Sequence, residues 1–143
     1  VNPIQSKRIL EESKPNKIYQ MMFEYRNFPA IREIKRLIEI GEIGDIINFK
    51  ASYLHGSYLD TQRPMSWRLR EGGGVSNDLA PHIIDLCNWF AGNMKSVYGK
   101  VITKFWDMEV EDNAFVLMKS CKGVDIQFHV SWSNWKNIFS FEL

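Results

Sequence analysis

An α+β domain, with a mainly antiparallel or mixed open β-sheet and helices packed on one face, is the fold this sequence predicts. Three observations lead there. The run "VDIQFHVSW" alternates cleanly, with Val124, Ile126, Phe128, Val130 and Trp132 on one face and Asp125, Gln127, His129 and Ser131 on the other. Two segments, "PAIREIKRLIEIGEIG" and "LAPHIIDLCNWFAG", carry apolar side chains at helical spacing. The elements follow in the order strand, helix, strand, loop, helix and then consecutive strands, which suits an antiparallel sheet.

Each element has its own warrant. "PIQSKRILEESK" sets Ile4, Ile9 and Leu10 among charges, which predicts a short amphipathic helix closed by Pro15 and Asn16. "KIYQMMFEYR" reads as a strand, with Tyr19, Met21, Phe23 and Tyr25 on one face. A helix follows with Pro29 at its first position, apolar residues at Ile31, Ile34, Leu37 and Ile38, and Gly41 as its stop. "DIINFKASYLHG" alternates Ile47, Phe49, Ala51 and Tyr53 against Ile46, Asn48, Lys50 and Ser52, as a half-buried strand does. "SYLDTQRPMSWRLREGGG" is an irregular loop of a length that suggests function. Three strand-like runs come after the central helix: "SVYGKVITKFW", "NAFVLMKS" and "VDIQFHVSW". The turn "CKG" joins the last two as a hairpin, and "IFSFEL" reads as one more strand.

At 143 residues the chain reads as one domain, 1–143, able to bury roughly 70% of its unfolded surface. With 18 basic and 17 acidic residues there is no electrostatic footprint for nucleic acid or anionic lipid. No apolar run approaches the roughly 18 residues of a membrane span, and "VNPIQSKRIL" lacks a signal-peptide core. Cys87 and Cys121 form neither a disulfide framework nor, with three histidines, a metal site, so a reducing cytoplasm is expected. The five tryptophans read as core and interface anchors.

Chemistry concentrates on "GGGVSNDLAPHIIDLCNWFAG". Leu79, Ile83, Leu86 and Phe90 form the stripe that packs on the sheet, while Asp78, His82 and Asp85 lie on another. Spacings of four and three bring either carboxylate within reach of the imidazole, an arrangement that fixes a tautomer and leaves one ring nitrogen to take a proton. The plainer alternative makes Asp78 a helix cap, His82 a satisfied half-buried side chain and Asp85 a solvated residue. The glycine triplet either admits a ligand to the backbone or makes a tight turn. His129 reads as a surface or interface residue, and His55, at a strand end, as a residue that edges a pocket or does not.

Three stretches resemble the second domain of the Gfo/Idh/MocA superfamily: "YRNFPAIREIKRLIEIGEIGDIINFKASYLHG", "WRLREGGGVSNDLAPHIIDLCNWFAG" and "VEDNAFVLMKSCKGVDIQFHVSW". The resemblance implies a C-terminal domain of the dihydrodipicolinate reductase-like kind, from an NAD(P)-dependent oxidoreductase acting on a hydroxyl of a sugar, cyclitol or related polyol. It implies His82 as general base and Asp78 as the group positioning substrate or base. Trp67, Arg68, Asn77 and Asp85 become the expected substrate contacts. It also implies a homo-oligomer formed through the open sheet face.

The likeness has departures. No G-x-G-x-x-G follows a strand, so the Rossmann domain is lacking; NAD or NADP is expected for the parent and none for this chain alone. The chain is expected to be truncated at both ends, with 1–17 a remnant of the connection from the dinucleotide-binding domain. Val1, Asn2 and Pro3 stand where the family has Glu-Lys-Pro, which sets Asn2 in the place of the catalytic lysine. Ala80 and Pro81 stand where a glycine followed by a small or aliphatic residue is commoner in the family. A non-catalytic assembly or ligand-binding domain is the rival reading.

Overall fold

The computed structural model of the chain describes residues 3–56 and 67–143. Asn2 and the first part of the irregular loop, 57–66, lie outside the described residues. Helix α1 spans Pro3–Glu12, a 3-10 turn Glu24–Asn27, helix α2 Pro29–Glu39 and strand β1 Asn48–Gly56. A second 3-10 turn covers Trp67–Leu69, followed by the short helix α3 at Val75–Asp78 and helix α4 at Ala80–Ala91. Strands β2 (Met94–Ile102), β3 (Asn113–Ser120), β4 (Asp125–Asn134) and β5 (Ile138–Glu142) complete the chain.

Five strands form one sheet in the order β2-β3-β4-β1-β5. The central β1–β4 pair is parallel, with Phe49 opposite Ile126 and Tyr53 opposite Val130, and every other pairing is antiparallel. The alternation read from the sequence carries directly into burial: Ile126, Phe128, Val130 and Trp132 are all buried, with Phe49 and Ala51 beside them on β1. Ile83 and Leu86 of α4 are completely buried against this face, and Leu79 and Phe90 nearly so. Each such side chain contributes roughly 1.5–3 kcal/mol on burial. Among the described residues the opposite face of the sheet carries no helix, and Tyr98, Phe115 and Leu117 stand exposed on it.

Helix α2 ends as its sequence demands. Gly41 adopts φ +76°, its N–H donates to the Ile38 carbonyl at 3.0 Å, and Glu42 N–H reaches the Leu37 carbonyl at 2.9 Å. That pair of bonds is a Schellman termination, which needs a left-handed residue at Gly41.

Two expectations are corrected. Residues 17–23 are not a strand: the edges of the sheet are β2 and β5, no described strand pairs with this segment, and Ile18 is 95% exposed. A period of two makes a strand only where a ladder receives its backbone groups. Helix α1 forms as expected but buries no residue. The run toward Trp106 also stops early, at Ile102. Buried Asp112 draws the chain aside there, accepting the backbone N–H groups of Lys104, Phe105 and Trp106 at 3.2, 2.7 and 3.1 Å.

Candidate active site

The segment from Gly72 to Ala91 is two helices separated by Leu79 rather than one. Pro81 occupies the first turn of α4, where no backbone donor is required, and Leu79 supplies no side-chain cap. Asp78 therefore does not cap α4. Its Oδ2 accepts from Arg68 Nε at 2.9 Å, and the Arg68 guanidinium lies 4.8 Å from the centre of the Trp67 ring. Trp67, Arg68 and Asp78 thus form one cluster across the end of the irregular loop.

The glycine triplet is a close approach of chain to chain. A Cβ on Gly73 would collide with the Arg68 carbonyl, and one on Gly74, at φ +87°, would collide with the Glu111 carboxylate. Glu111 fills the turn: its Oε1 accepts from Ser76 N–H at 3.0 Å and its backbone carbonyl from Val75 N–H at 3.0 Å. Asn77 Nδ2 donates back to the Gly73 carbonyl at 2.9 Å, so the Asn77 amide expected to meet substrate holds the turn together.

His82 opens α4 with a quarter of its side chain exposed. Its ring sits among three aromatic edges, with centroids of Phe23, Tyr25 and Tyr53 at 6.1, 5.4 and 6.1 Å. Nδ1 is buried without a hydrogen-bond partner, and the nearest ion-pair oxygen is Glu24 Oε1 at 3.7 Å. Neither aspartate expected to hold the imidazole bonds to it. Asp78 turns to Arg68. Asp85, 7% exposed, receives Arg26 Nε on Oδ2 at 2.7 Å and Arg26 Nη2 on Oδ1 at 2.5 Å. Both oxygens of Asp85, an expected substrate contact, accept from the single, 42% exposed guanidinium of Arg26.

Around His82 the aromatic cluster continues. Tyr25 stacks on Phe139 at 4.5 Å and 7°, and meets Tyr53 edge-on with ring centroids 5.7 Å apart. Burial first, then the neighbouring Tyr53 and the charge of Glu24, push the Tyr25 phenol well above its ordinary value, so it stays neutral. His55 lies beside Tyr53, with ring centroids 5.1 Å apart. Burial lowers its pKa, opposed by a hydrogen bond with Asn137 and the charge of Asp78. His129 is elsewhere, on the bare face of the sheet, stacked at 4.1 Å on Phe115 and bonded through Nε2 to Asn113 Oδ1 at 2.9 Å.

The geometry thus shows two clusters along this segment, His82 within an aromatic wall that reaches the end of β1, and Trp67, Arg68 and Asp78 at the end of the irregular loop. Four residues of this neighbourhood escaped the sequence reading: Glu24, Tyr25, Arg26 and Tyr53. Only the arginine before Pro29 and Ala30, within the family-like stretch, gave a signal.

The model of the family described as the GFO/IDH/MocA C-terminal domain matches residues 31–143. This chain belongs to that family. Levoglucosan dehydrogenase of Pseudarthrobacter phenanthrenivorans is 35% identical over 97 residues, which make up 65% of this chain and 25% of that protein. A solved levoglucosan dehydrogenase in complex with NADH and levoglucosan shares the fold at a TM-score of 0.88 and 26% identity, covering 97% of this chain and 41% of its own. Its complex with NADH and L-sorbose gives 0.87 at 26% identity over the same shares. The chain therefore spans less than half the length of these relatives. As a member of the GFO/IDH/MocA C-terminal domain family it is built on a mixed five-stranded sheet with helices.

Relatives with NADH bound raise the question of whether this domain could hold a dinucleotide. Its one glycine-rich turn before a helix does not fit a pyrophosphate, because the Glu111 carboxylate already takes the amide there and brings like charge. Among the described residues no cluster of His, Cys, Asp and Glu could hold a metal ion, and no helix is long and apolar enough to cross a membrane.

Proposed function

We propose that this chain is the substrate-binding and oligomerisation domain of an NAD(P)-dependent oxidoreductase that acts on a hydroxyl of a sugar, cyclitol or related polyol, beside a dinucleotide-binding domain. The observation that carries the reading is His82, an imidazole one quarter exposed at the start of α4, rimmed by aromatic rings and close in sequence to the Arg68–Asp78 pair. Aromatic surface with a few placed polar groups is what a sugar site requires. The complexes of levoglucosan dehydrogenase with levoglucosan and L-sorbose support that substrate class.

In this reading the chain supplies the proton half of the reaction. His82 takes the hydroxyl proton of the substrate, a role contributing roughly 100- to 10,000-fold in rate. Asp78 fixes the Arg68 guanidinium, whose planar set of donors suits hydroxyl oxygens, and Trp67 borders the same space. A nicotinamide held by a dinucleotide-binding domain would supply the hydride acceptor. The bare sheet face, with Tyr98, Phe115 and Leu117 exposed and a groove of about 400 Å³ running past His129, suits association with further copies.

The test is an assay of NAD(P)H formation by the two-domain oxidoreductase against levoglucosan and a panel of polyols. Loss of most of kcat in His82→Ala with the fold intact is the expected result. Undiminished activity in that variant would remove the catalytic reading.

A further inference from the structure

Resting on the role given above to His82, we infer that Glu24 is the positioning residue of that imidazole. Elimination on the page leads there. Nδ1 of His82 is buried and has no hydrogen-bond partner, a state that carries an uncompensated desolvation cost unless something answers it. Neither aspartate near it in sequence answers: Asp85 on α4 is held by two bonds from Arg26, and the bonded oxygen of Asp78, on α3, belongs to Arg68. Phe23, Tyr25 and Tyr53 present ring edges to the imidazole, and none of them bonds Nδ1. What faces Nδ1 is the carboxylate of Glu24, with Oε1 at 3.7 Å.

Glu24 is suited to close that distance. It opens the Glu24–Asn27 turn with its side chain 49% exposed, so it has room to rotate, and a shift of about 0.8 Å brings Oε1 into hydrogen-bond range. The turn itself is held against α4 two residues later by Arg26 on Asp85. A carboxylate on Nδ1–H selects the tautomer in which Nε2 carries the free lone pair, and it stabilises the imidazolium formed when Nε2 takes a proton. The base and the residue that orients it thus come from different elements.

The test reads the tautomer and not the turnover. In the 15N-labelled chain, long-range proton–nitrogen spectra of neutral His82 should show the Nδ1–H form in about ten-fold or greater excess, as a charge-assisted bond implies. Glu24→Ala should bring the two tautomers to comparable populations. Glu24→Gln, whose amide oxygen still accepts from Nδ1–H, should restore the excess. A predominant Nε2–H form in the unaltered chain overturns the inference on its own, whatever the variants do, and so does an unchanged ratio in folded Glu24→Ala. Because activity is not the readout, failure of the catalytic reading and failure of this inference remain separate results.

Discussion

Arg26 and Asp85, 59 residues apart in sequence, meet through two parallel bonds of 2.7 and 2.5 Å, guanidinium to carboxylate. The bond joins the Glu24–Asn27 turn to the middle of α4, so the segment carrying Glu24 and Tyr25 is fixed against the helix carrying His82. The Arg26 guanidinium also lies 5.5 Å from the Trp89 ring, which covers its flank. Asp85→Ala strands a guanidinium and Arg26→Ala strands a buried carboxylate. The second is expected to cost more, about 2–3 kcal/mol after allowing for the partial exposure of the arginine. Urea unfolding followed by tryptophan fluorescence measures both.

Asp112 should make the domain acid-sensitive. Burial alone would raise its pKa, but hydrogen bonds from Asn113 and from the amides of Phe105, Trp106 and Lys104 outweigh it and hold the carboxyl below its ordinary value. A depressed folded pKa gives stability that is complete above the unfolded value of about 3.9 and is lost as pH falls through the folded one. Asp112→Asn is therefore expected to melt about 5 °C lower near neutrality, with the gap to the unaltered chain closing toward pH 3. Melting curves across that range would show a constant gap if the reasoning were wrong.

Gly74 tolerates no side chain. Alanine there adds the strain of a positive φ, about 1–2 kcal/mol, to the collision with Glu111. Gly74→Ala should lower Tm by several degrees, and adding Glu111→Ala should recover only the collision part. Complete recovery in the double variant would mean that the backbone conformation is not the obstacle.

Arg68 and Asp78 act together in substrate binding under the proposed function. Asp78→Asn weakens a bond of 2.9 Å between a 32% exposed guanidinium and a 13% exposed carboxylate. Raised KM for the polyol by roughly ten-fold, the size of one charge-assisted bond, is the expected kinetic signature in the two-domain enzyme. Isotherms of polyol binding would separate this from an effect on the chemical step.

Much of the fold was legible because burial follows short-range period. The stripe Val124 to Trp132 and the stripe Leu79 to Phe90 each declare a face within a dozen residues, and Pro29 and Gly41 mark the ends of α2. The segment 17–23 defeated the same logic, since alternation says nothing about whether a neighbouring strand exists. In the site, spacing correctly set Asp78 and His82 near one another on the chain and then suggested the wrong bonds. Each aspartate found an arginine from outside the helix, Arg68 or Arg26, and Glu24 approached the histidine from a segment far upstream. Partners at such separations leave no periodic trace.

The parallel pairing of β1 with β4 sets an order of assembly. The β2–β3–β4 meander closes through short connections, whereas β1 must be brought to β4 from far up the chain, at a greater loss of chain entropy. Tyr53 and His55 arrive with β1, and Phe139 with β5 on β1, so the wall around His82 is completed only after β1 has paired. A nascent domain with its meander formed would have its greasy face on offer and no recognition site. In pulsed hydrogen exchange during refolding, amides of β3 and β4 should gain protection before those of β1.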